Sequence, residues 1–262
     1  MDHAAALAAY DRQIRRDARS DSPGTRVERV GGIVRQTGSE HDWNGVLWAD
    51  IDATTADAAI TEQIRHYTAA RRAFEWKLHS YDRPADLAGR LLTAGFVAEP
   101  TETVMVAEAQ GLPSGPELPE GVRLIPVTDA AGVRLMAEAH LAAFGEGDAA
   151  LSERLAQRVL AQLAETPDEI VVVVAMAGDR PVCGARMELR PGTDFAGLWG
   201  GGTAPGWRGR GIYRATVAHR ARIAAERGYR YLQVDASDDS RPILDRLGFA
   251  TLCTTTPYVY QP

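Results

Sequence analysis

The two halves of this chain end in nearly the same way. Residues 74–106, FEWKLHSYDRPADLAGRLLTAGFVAEPTETVMV, and residues 228–260, GYRYLQVDASDDSRPILDRLGFATLCTTTPYVY, superpose when Gly95 is set on Gly248, a shift of 153. The same shift brings Asp82 onto Asp235, Leu91 onto Leu244, Phe96 onto Phe249, Thr101 onto Thr254 and Thr103 onto Thr256. Two copies of a strand, short helix and strand pattern imply two copies of one folding unit, since each must bury the same apolar face. With 262 residues, 45% of them hydrophobic and 24% charged, the chain has the length and apolar content for two cores.

Between the halves lies AQGLPSGPELPE (109–120), in which Pro113, Pro116 and Pro119 with Gly111 and Gly115 forbid a continuous helix or an inner strand. We therefore expect a first domain over residues 1–110, a linker over 111–120 and a second domain over 121–262. In the second half, 122–127 and 170–177 read as strands, with helices over 129–144 and 149–165 between them. RPVCGARMELR and FAGLWGGGTAP, parted by the turn signal PGTD, read as an antiparallel pair. A helix over about 209–227 follows, closed by Gly228, then a strand (YRYLQVDAS), a short helix (DSRPILDRLGF) and a final strand (TLCTTTPYVYQ). Strand, helix and strand in succession require a crossover and at least one parallel pairing, so the class is α/β with a mixed sheet.

Bulk properties close off several functions. A net charge of −6 leaves no broad basic surface for nucleic acid. The longest apolar run, IVVVVAMAG from Ile170, is far short of the ~20 residues of a membrane-spanning helix. The opening MDHAAALAAYDRQIRR has Asp2 where a secretory leader would be basic, so a cytoplasmic location is expected. Cys183 and Cys253 belong to no Cys/His cluster, which points to reduced core thiols and to no metal site.

One stretch departs from the acidic background. In TAPGWRGRGIYRATVAHRARIAAERGY (203–229), Arg208, Gly209, Arg210 and Gly211 stand together at the mouth of a helix. A helix N-terminus presents unpaired N–H groups and about half a positive charge, glycines allow φ > 0 and close backbone approach, and guanidiniums match phosphate oxygens. The pattern is that of a phosphate cradle. A dinucleotide GxGxxG would need glycine at 214, where Arg214 stands.

RGRGIY resembles the Q/R-x-x-G-x-G/A pyrophosphate loop of the GNAT-type N-acetyltransferases, with Arg208 opening the motif, Gly211 at its fixed glycine and Tyr213 where Gly or Ala is usual. ASDDSRPILDRLGF resembles the family's N-x-x-A-x-x-x-Y-x-x-x-G-F segment, with Ser237 at the Asn, Ser240 at the Ala and Leu244 at the Tyr. The resemblance covers about 121–262, and the first half as a worn relative. It implies two tandem GNAT-like domains, each a mostly antiparallel mixed sheet flanked by helices with a splayed parallel strand pair. It also implies acetyl-CoA as cofactor, held by Gly201, Gly202, Thr203, Arg208, Gly209, Arg210, Gly211, Ile212, Tyr213, Ser237 and Ser240. LWGGGTAP would be the strand that pairs with the pantetheine arm, its three glycines permitting a bulge. In the first half, residues 55–60 (TADAAI) replace 208–213, so one cofactor site per chain is expected, with the first half serving structure, a homodimer contact or the substrate wall.

The implied activity is transfer of an acetyl group to a primary amine of a small molecule or peptide, by direct transfer in a ternary complex. A protonated amine must first lose its proton, which calls for a base or a water chain. The usual acid on the fourth strand is missing from FAGLWGGG, and Leu244 replaces the usual Tyr. Three side chains are candidate substitutes. Asp235 stands beside the expected splay as base or helix cap, Glu188 lies on the neighbouring strand as base or ion-pair member, and Tyr258 lies on the last strand as acid or core residue. His140 and Glu146 flank the helix connection that shapes the acceptor pocket in this family, and His219 reads as a core histidine. The competing reading is a non-catalytic acyl-CoA-binding protein.

Overall fold

The structure, a computed structural model, describes residues 1–113, 115–145 and 149–262. In chain order the elements are α1 (His3–Tyr10), continued by π-helical turns over Asp11–Arg16, then β1 (Arg26–Val30), β2 (Ile33–Thr37), β3 (Gly45–Ala49), α2 (Ala56–Ala70), β4 (Phe74–His79), α3 (Leu87–Thr93), β5 (Val97–Ala98) and β6 (Glu102–Glu108). The second half follows with β7 (Val122–Pro126), α4 (Ala130–Phe144), α5 (Ala149–Glu165), β8 (Ile170–Ala177), β9 (Arg180–Leu189), β10 (Phe195–Thr203), α6 (Ile212–Glu226), β11 (Tyr231–Ala236), α7 (Arg241–Leu247) and β12 (Ala250–Tyr260). Helix α6 starts three residues later than the sequence pattern suggests. Gly209 and Gly211 turn at φ 74° and 84°, which holds the RGRG run out of the helix and in a loop.

Two compact units form. One consists of residues 2–104, 236–238 and 251–262, and the other of 105–235 and 239–250 with Met1. In the first, the strands run β1-β2-β3-β4-β12, with β5 also on β12. All neighbours are antiparallel except β3 and β4. The final strand of the chain thus completes the sheet of the first-half unit, Tyr258 standing opposite Trp76. Its core gathers Ile33, Val46, Ile60, Tyr67, Phe74, Trp76, Leu91 and Phe96, with Tyr67 stacked on Phe74 at 4.2 Å.

In the second unit the order is β6-β11-β10-β9-β8-β7, with β10 and β11 parallel and the β10–β9–β8–β7 pairings antiparallel. Helices cover both faces. Val133, Met136 and Val159 of α4 and α5 pack on Val172 and Val174, while Ile212 of α6 packs with Cys183, Val182 and Ala175. Cys183 and Cys253 are buried thiols that form no disulfide. Among the described residues no helix is long and apolar enough to cross a membrane.

The repeat read from the sequence holds at the level of backbone detail. Gly95 and Gly248, which follow α3 and α7, both turn at φ 96°, and Leu91 and Leu244 are both fully buried.

Candidate functional site

In each unit one pair of parallel neighbours starts together and then parts. On β10 and β11 the ladder runs Phe195–Tyr231, Ala196–Leu232 and Gly197–Gln233, and ends there. Beyond it β10 carries a bulge: its register with β9 shifts between Trp199 and Gly202, with Gly200 at φ 60°. An extra residue in one strand bends it and redirects its backbone groups. The bulge is held from below by α6. A Cβ on Gly201 would lie 2.6 Å from Tyr213 Cε2, so the tyrosine ring occupies the space that a side chain at 201 would need. Arg220, 1% exposed, donates from Nε to the Thr216 carbonyl (3.0 Å) and from Nη1 to the Arg186 carbonyl (2.7 Å) beside the shifted register. Burial pulls its pKa down to about 10, which leaves it charged at neutral pH.

The strand leads directly into the glycine-arginine loop. Arg208 donates from Nε to the Thr203 carbonyl and from Nη2 to the Ala143 carbonyl at the end of α4, both at 3.0 Å. Its side chain braces the loop. Arg210 is exposed, its guanidinium 4.8 Å from the Trp207 ring centroid. Among the described residues no side chain caps α6, whose N-cap is Gly211. Its first-turn N–H groups are therefore left to an anion or to water. The Pro/Gly segment packs beside this loop, where a Cβ on Gly211 would lie 3.0 Å from Pro116 Cγ and one on Gly115 would lie 2.8 Å from Ala218 Cβ.

Residues 134–249 match the acetyltransferase (GNAT) family. The chain carries a GNAT domain. Its fold as a whole is similar to that of a GCN5-related N-acetyltransferase from Kribbella flavida (TM-score 0.70, 18% identity, 99% of this chain and 94% of that one). It is also similar to a GCN5-related N-acetyltransferase from Sphaerobacter thermophilus (TM-score 0.64, 15% identity, 88% and 78%). A third similar structure is a tandem GNAT protein from the clavulanic acid biosynthesis pathway (TM-score 0.61, 11% identity, 99% and 94%). Comparison with curated protein sequences finds no significant match. The family supports acyl transfer, and the fold is that of two tandem GNAT-like domains.

The GNAT splay gathers only part of the expected set. Gly201, Gly202, Thr203, Arg208, Gly209, Arg210, Gly211, Ile212 and Tyr213 form one continuous strand end, loop and helix start, although several side chains are committed elsewhere. Ile212 is 1% exposed in the core, and Gly202 lies against Phe144, 2.5 Å from where its Cβ would be. Ser237 is exposed beyond β11, and Ser240 is the N-cap of α7 without a side-chain capping bond.

The three catalytic candidates have very different surroundings. Asp235 is half-buried on β11, two residues beyond the end of the ladder, and accepts from Gln233 Nε2 at 2.7 Å. Glu188 is 5% exposed on β9, within 3.3 Å of Arg158, 3.7 Å of Arg186 and 3.9 Å of Arg190. Burial alone would raise its pKa, but the three guanidiniums hold it below the usual carboxylate range, which makes it a weak base. Tyr258 belongs to the core of the first-half unit, on the strand that pairs with β4. His219 is half-buried, and burial with Arg222 and Arg220 keeps it neutral. His140 lies 4.7 Å from Phe144, ring to ring, while Glu146 lies outside the described residues.

Sequence reasoning missed how the first-half unit treats the same two positions. Its parallel ladder, Gly45–Glu75 and Val46–Trp76, also ends early. Just beyond it Arg15, 2% exposed, donates from Nε to the Leu47 carbonyl (3.1 Å) and from Nη2 to both Asp82 oxygens (2.8 Å). Its Nη1 reaches Asp11 (2.7 Å) and the Tyr81 hydroxyl (3.1 Å). At the start of α2, the Asp52 carboxylate accepts from the N–H groups of Thr54 (2.9 Å) and Thr55 (3.0 Å). The Thr54 and Thr55 hydroxyls and these N–H groups hold Asp52 at a pKa of about 2. The signal in the sequence was Asp57 in place of Arg210, with Ala56 and Ala58 in place of the loop glycines; nothing in the spacing tied Arg15 to Leu47.

Proposed function

We propose that the protein is an acetyl-CoA-dependent N-acetyltransferase with one cofactor site, in the second half, acting on a primary amine. The observation that carries this is the sequence of splay, bulge and uncapped helix along β10, Gly209–Gly211 and α6. The residues fit the group. Backbone N–H groups from Gly209 to Tyr213 and the Arg210 guanidinium would take the pyrophosphate, and the β10 edge from Leu198 to Thr203 would pair with the pantetheine amides. The cofactor supplies a thioester: a C–N bond to the acceptor forms, the C–S bond breaks, and the leaving thiolate is neutralised by the proton the amine gives up. Asp235 is our base, alone or through water, because among the three candidates it is the carboxylate that stands on a strand of the splayed pair, two residues beyond the end of their ladder. Alignment of amine and thioester supplies part of the rate by proximity.

The first half is self-filled. Arg15 takes the β3 carbonyl at its splay, and the Asp52 carboxylate takes the N–H groups of Thr54 and Thr55 in the turn that leads into α2. Titration calorimetry with acetyl-CoA should give one equivalent per chain. Replacing Arg210 with Gln and Gly211 with Val should abolish the thermal stabilisation by acetyl-CoA, whereas Thr55→Ala with Asp57→Ala should leave it intact; unchanged stabilisation in the first variant would sink the assignment. Asp235→Asn should lower kcat by about 10²-fold or more, the range for losing a general base, with the affinity for acetyl-CoA unchanged.

A second reading is non-catalytic acyl-CoA binding, favoured by Leu244, which is fully buried where the family places a Tyr. Monitoring thiol release across a broad panel of amines separates the two: binding without turnover on any amine supports the second.

A further inference from the structure

The Pro/Gly segment reads in the sequence as a spacer, yet in the fold it runs along α6. At its start the Ala109 N–H donates to the carbonyl of Arg230, the residue before β11 (2.9 Å), and the turn over Ala109–Gly111 lies against α6. Further on, a Cβ on Gly115 would lie 2.8 Å from Ala218 Cβ, 3.0 Å from Ala215 Cα and 3.4 Å from the Arg214 carbonyl oxygen. Glycine is what lets the segment touch the helix backbone there. Pro116 then reaches the helix mouth, its Cγ and Cβ 3.0 and 3.5 Å from where a Cβ on Gly211 would be. Leu118 packs, as Trp207 does, against the cluster of Val122, Val182, Cys183 and Ile212, and the Val122 N–H donates to the Pro119 carbonyl (3.0 Å).

The segment therefore meets the phosphate loop twice. Pro116 abuts the Gly211 turn, and Leu118 shares an apolar cluster with Trp207, whose ring carries the Arg210 guanidinium at 4.8 Å. A loop with two glycines at positive φ has many conformations to lose when a ligand fixes it. Contacts that order it beforehand lower the cost of binding. Proline is suited to supply them, because its own φ is already fixed and little freedom is lost when it is seated.

We propose that residues 115–118 are a positioning strap for the cofactor loop: seated on α6, they hold Gly209–Gly211 in the shape that presents the first-turn N–H groups to the pyrophosphate of coenzyme A. Pro116 and Leu118 are positioning residues that act through the loop. The inference rests on the cofactor reading above, and the test separates the two. Coupling of this kind is reciprocal: whatever factor the seated strap adds to coenzyme A affinity, bound coenzyme A adds to the seating of the strap.

Two readouts on the full chain, neither needing turnover, test this. Glu117 is exposed in the segment and Glu40 in the first-half unit, so a glutamate-specific protease reports on both. Saturating coenzyme A should slow cleavage after Glu117 by about fivefold or more, since cleavage follows the population of the lifted strap, and should leave cleavage after Glu40 unchanged. The second readout is calorimetric titration with coenzyme A. Gly115→Val sets a branched side chain against Ala215 Cα, an atom of the helix backbone, and should raise Kd by about fivefold or more while removing the protection. Pro116→Gly adds no bulk and should raise Kd in the same direction. Gly115→Ala with Ala218→Gly, which moves the methyl from one surface to the other, should recover part of the affinity that Gly115→Ala alone loses. Wild-type Kd in folded Gly115→Val and Pro116→Gly, or cleavage after Glu117 that coenzyme A does not slow, overturns the strap. The cofactor reading survives that result if Arg210→Gln with Gly211→Val still abolishes binding. If the wild type binds no coenzyme A, the cofactor reading fails and the strap falls with it.

Discussion

Gly201 and Tyr213 are complementary: the ring at 213, where the pyrophosphate loop of the family has Gly or Ala, fills the volume that a side chain at 201 would take. Neither residue can be judged alone. Gly201→Ala places a methyl 2.6 Å from Cε2, inside contact distance, and either the ring or the bulge must yield. We expect a loss of about 1–3 kcal/mol, the usual cost of overpacking. Tyr213→Ala should be destabilising for the opposite reason, through a cavity beneath the bulge. Because the two changes share one volume, the double variant should lose at least about 1 kcal/mol less than the sum of the singles, and urea unfolding of all four proteins measures the coupling. Additive losses would show that the ring does not support the strand. Arg220 works on the same bulge through hydrogen bonding, donating to the carbonyl of Arg186, the ladder partner of Trp199 where the register shifts. The tyrosine was legible in the sequence as a departure from a motif; the arginine was not, because a lone Arg on a helix gives no sign of the irregular carbonyl it will meet.

At the scale of elements, the splayed strand pair is what the two units share and what each fills differently. The first-half splay closes over a polar network. His79, at the end of β4, is 2% exposed, with Nε2 3.1 Å from the Tyr10 hydroxyl, Nδ1 3.3 Å from the Lys77 carbonyl and Arg15 nearby. Burial, then the charges of Arg15 and Lys77, push its pKa well below 6.5, so it is neutral in the fold. In the unfolded chain it titrates near its ordinary ~6.5, so below that pH the unfolded state binds a proton the fold refuses, and stability falls as the pH drops. The slope from this residue should approach about 1.4 kcal/mol per pH unit below pH ~6.5 and vanish above it. Urea midpoints at pH 7.5, 6.5 and 5.5 test this, with His79→Gln expected to flatten the acid side; parallel curves for the two proteins would exclude His79 as the source. The elements themselves were largely readable: periodicity, the PGTD turn and Gly228 predicted the strands and helices of the second half. The polar filling of the splay was not, since it joins a helix at residue 15 to a strand at 47 and a turn at 82, and no local pattern encodes such a meeting.

At the scale of the whole molecule, the repeat and the compact units mark different divisions. The repeat pairs β6 with β12 as the last strand of each half, yet the first-half unit takes β12, from Thr251 onward, and the other unit takes the β6 residues from Met105. The reason was not visible in either half alone, because two copies of one strand have the same apolar alternation, and either copy satisfies either sheet. The Pro/Gly segment is accordingly a proposed boundary of the duplication and not a place where the chain can be cut without loss. A fragment of residues 121–262 would lack the strand that stands beside β11, leaving that edge open, and would carry β12 without β4, exposing Cys253, Thr255 and Tyr258, which are buried in the intact chain. An open edge beside an unpaired apolar strand favours aggregation over folding. We expect fragments 1–110 and 111–262 each to be insoluble or unfolded when produced alone, and to form a one-to-one complex with native-like cooperative melting when co-expressed. Calorimetry and analytical ultracentrifugation read both outcomes, and a monomeric 111–262 fragment that melts cooperatively and gains stability with coenzyme A would show that the first-half strands are dispensable to the GNAT domain.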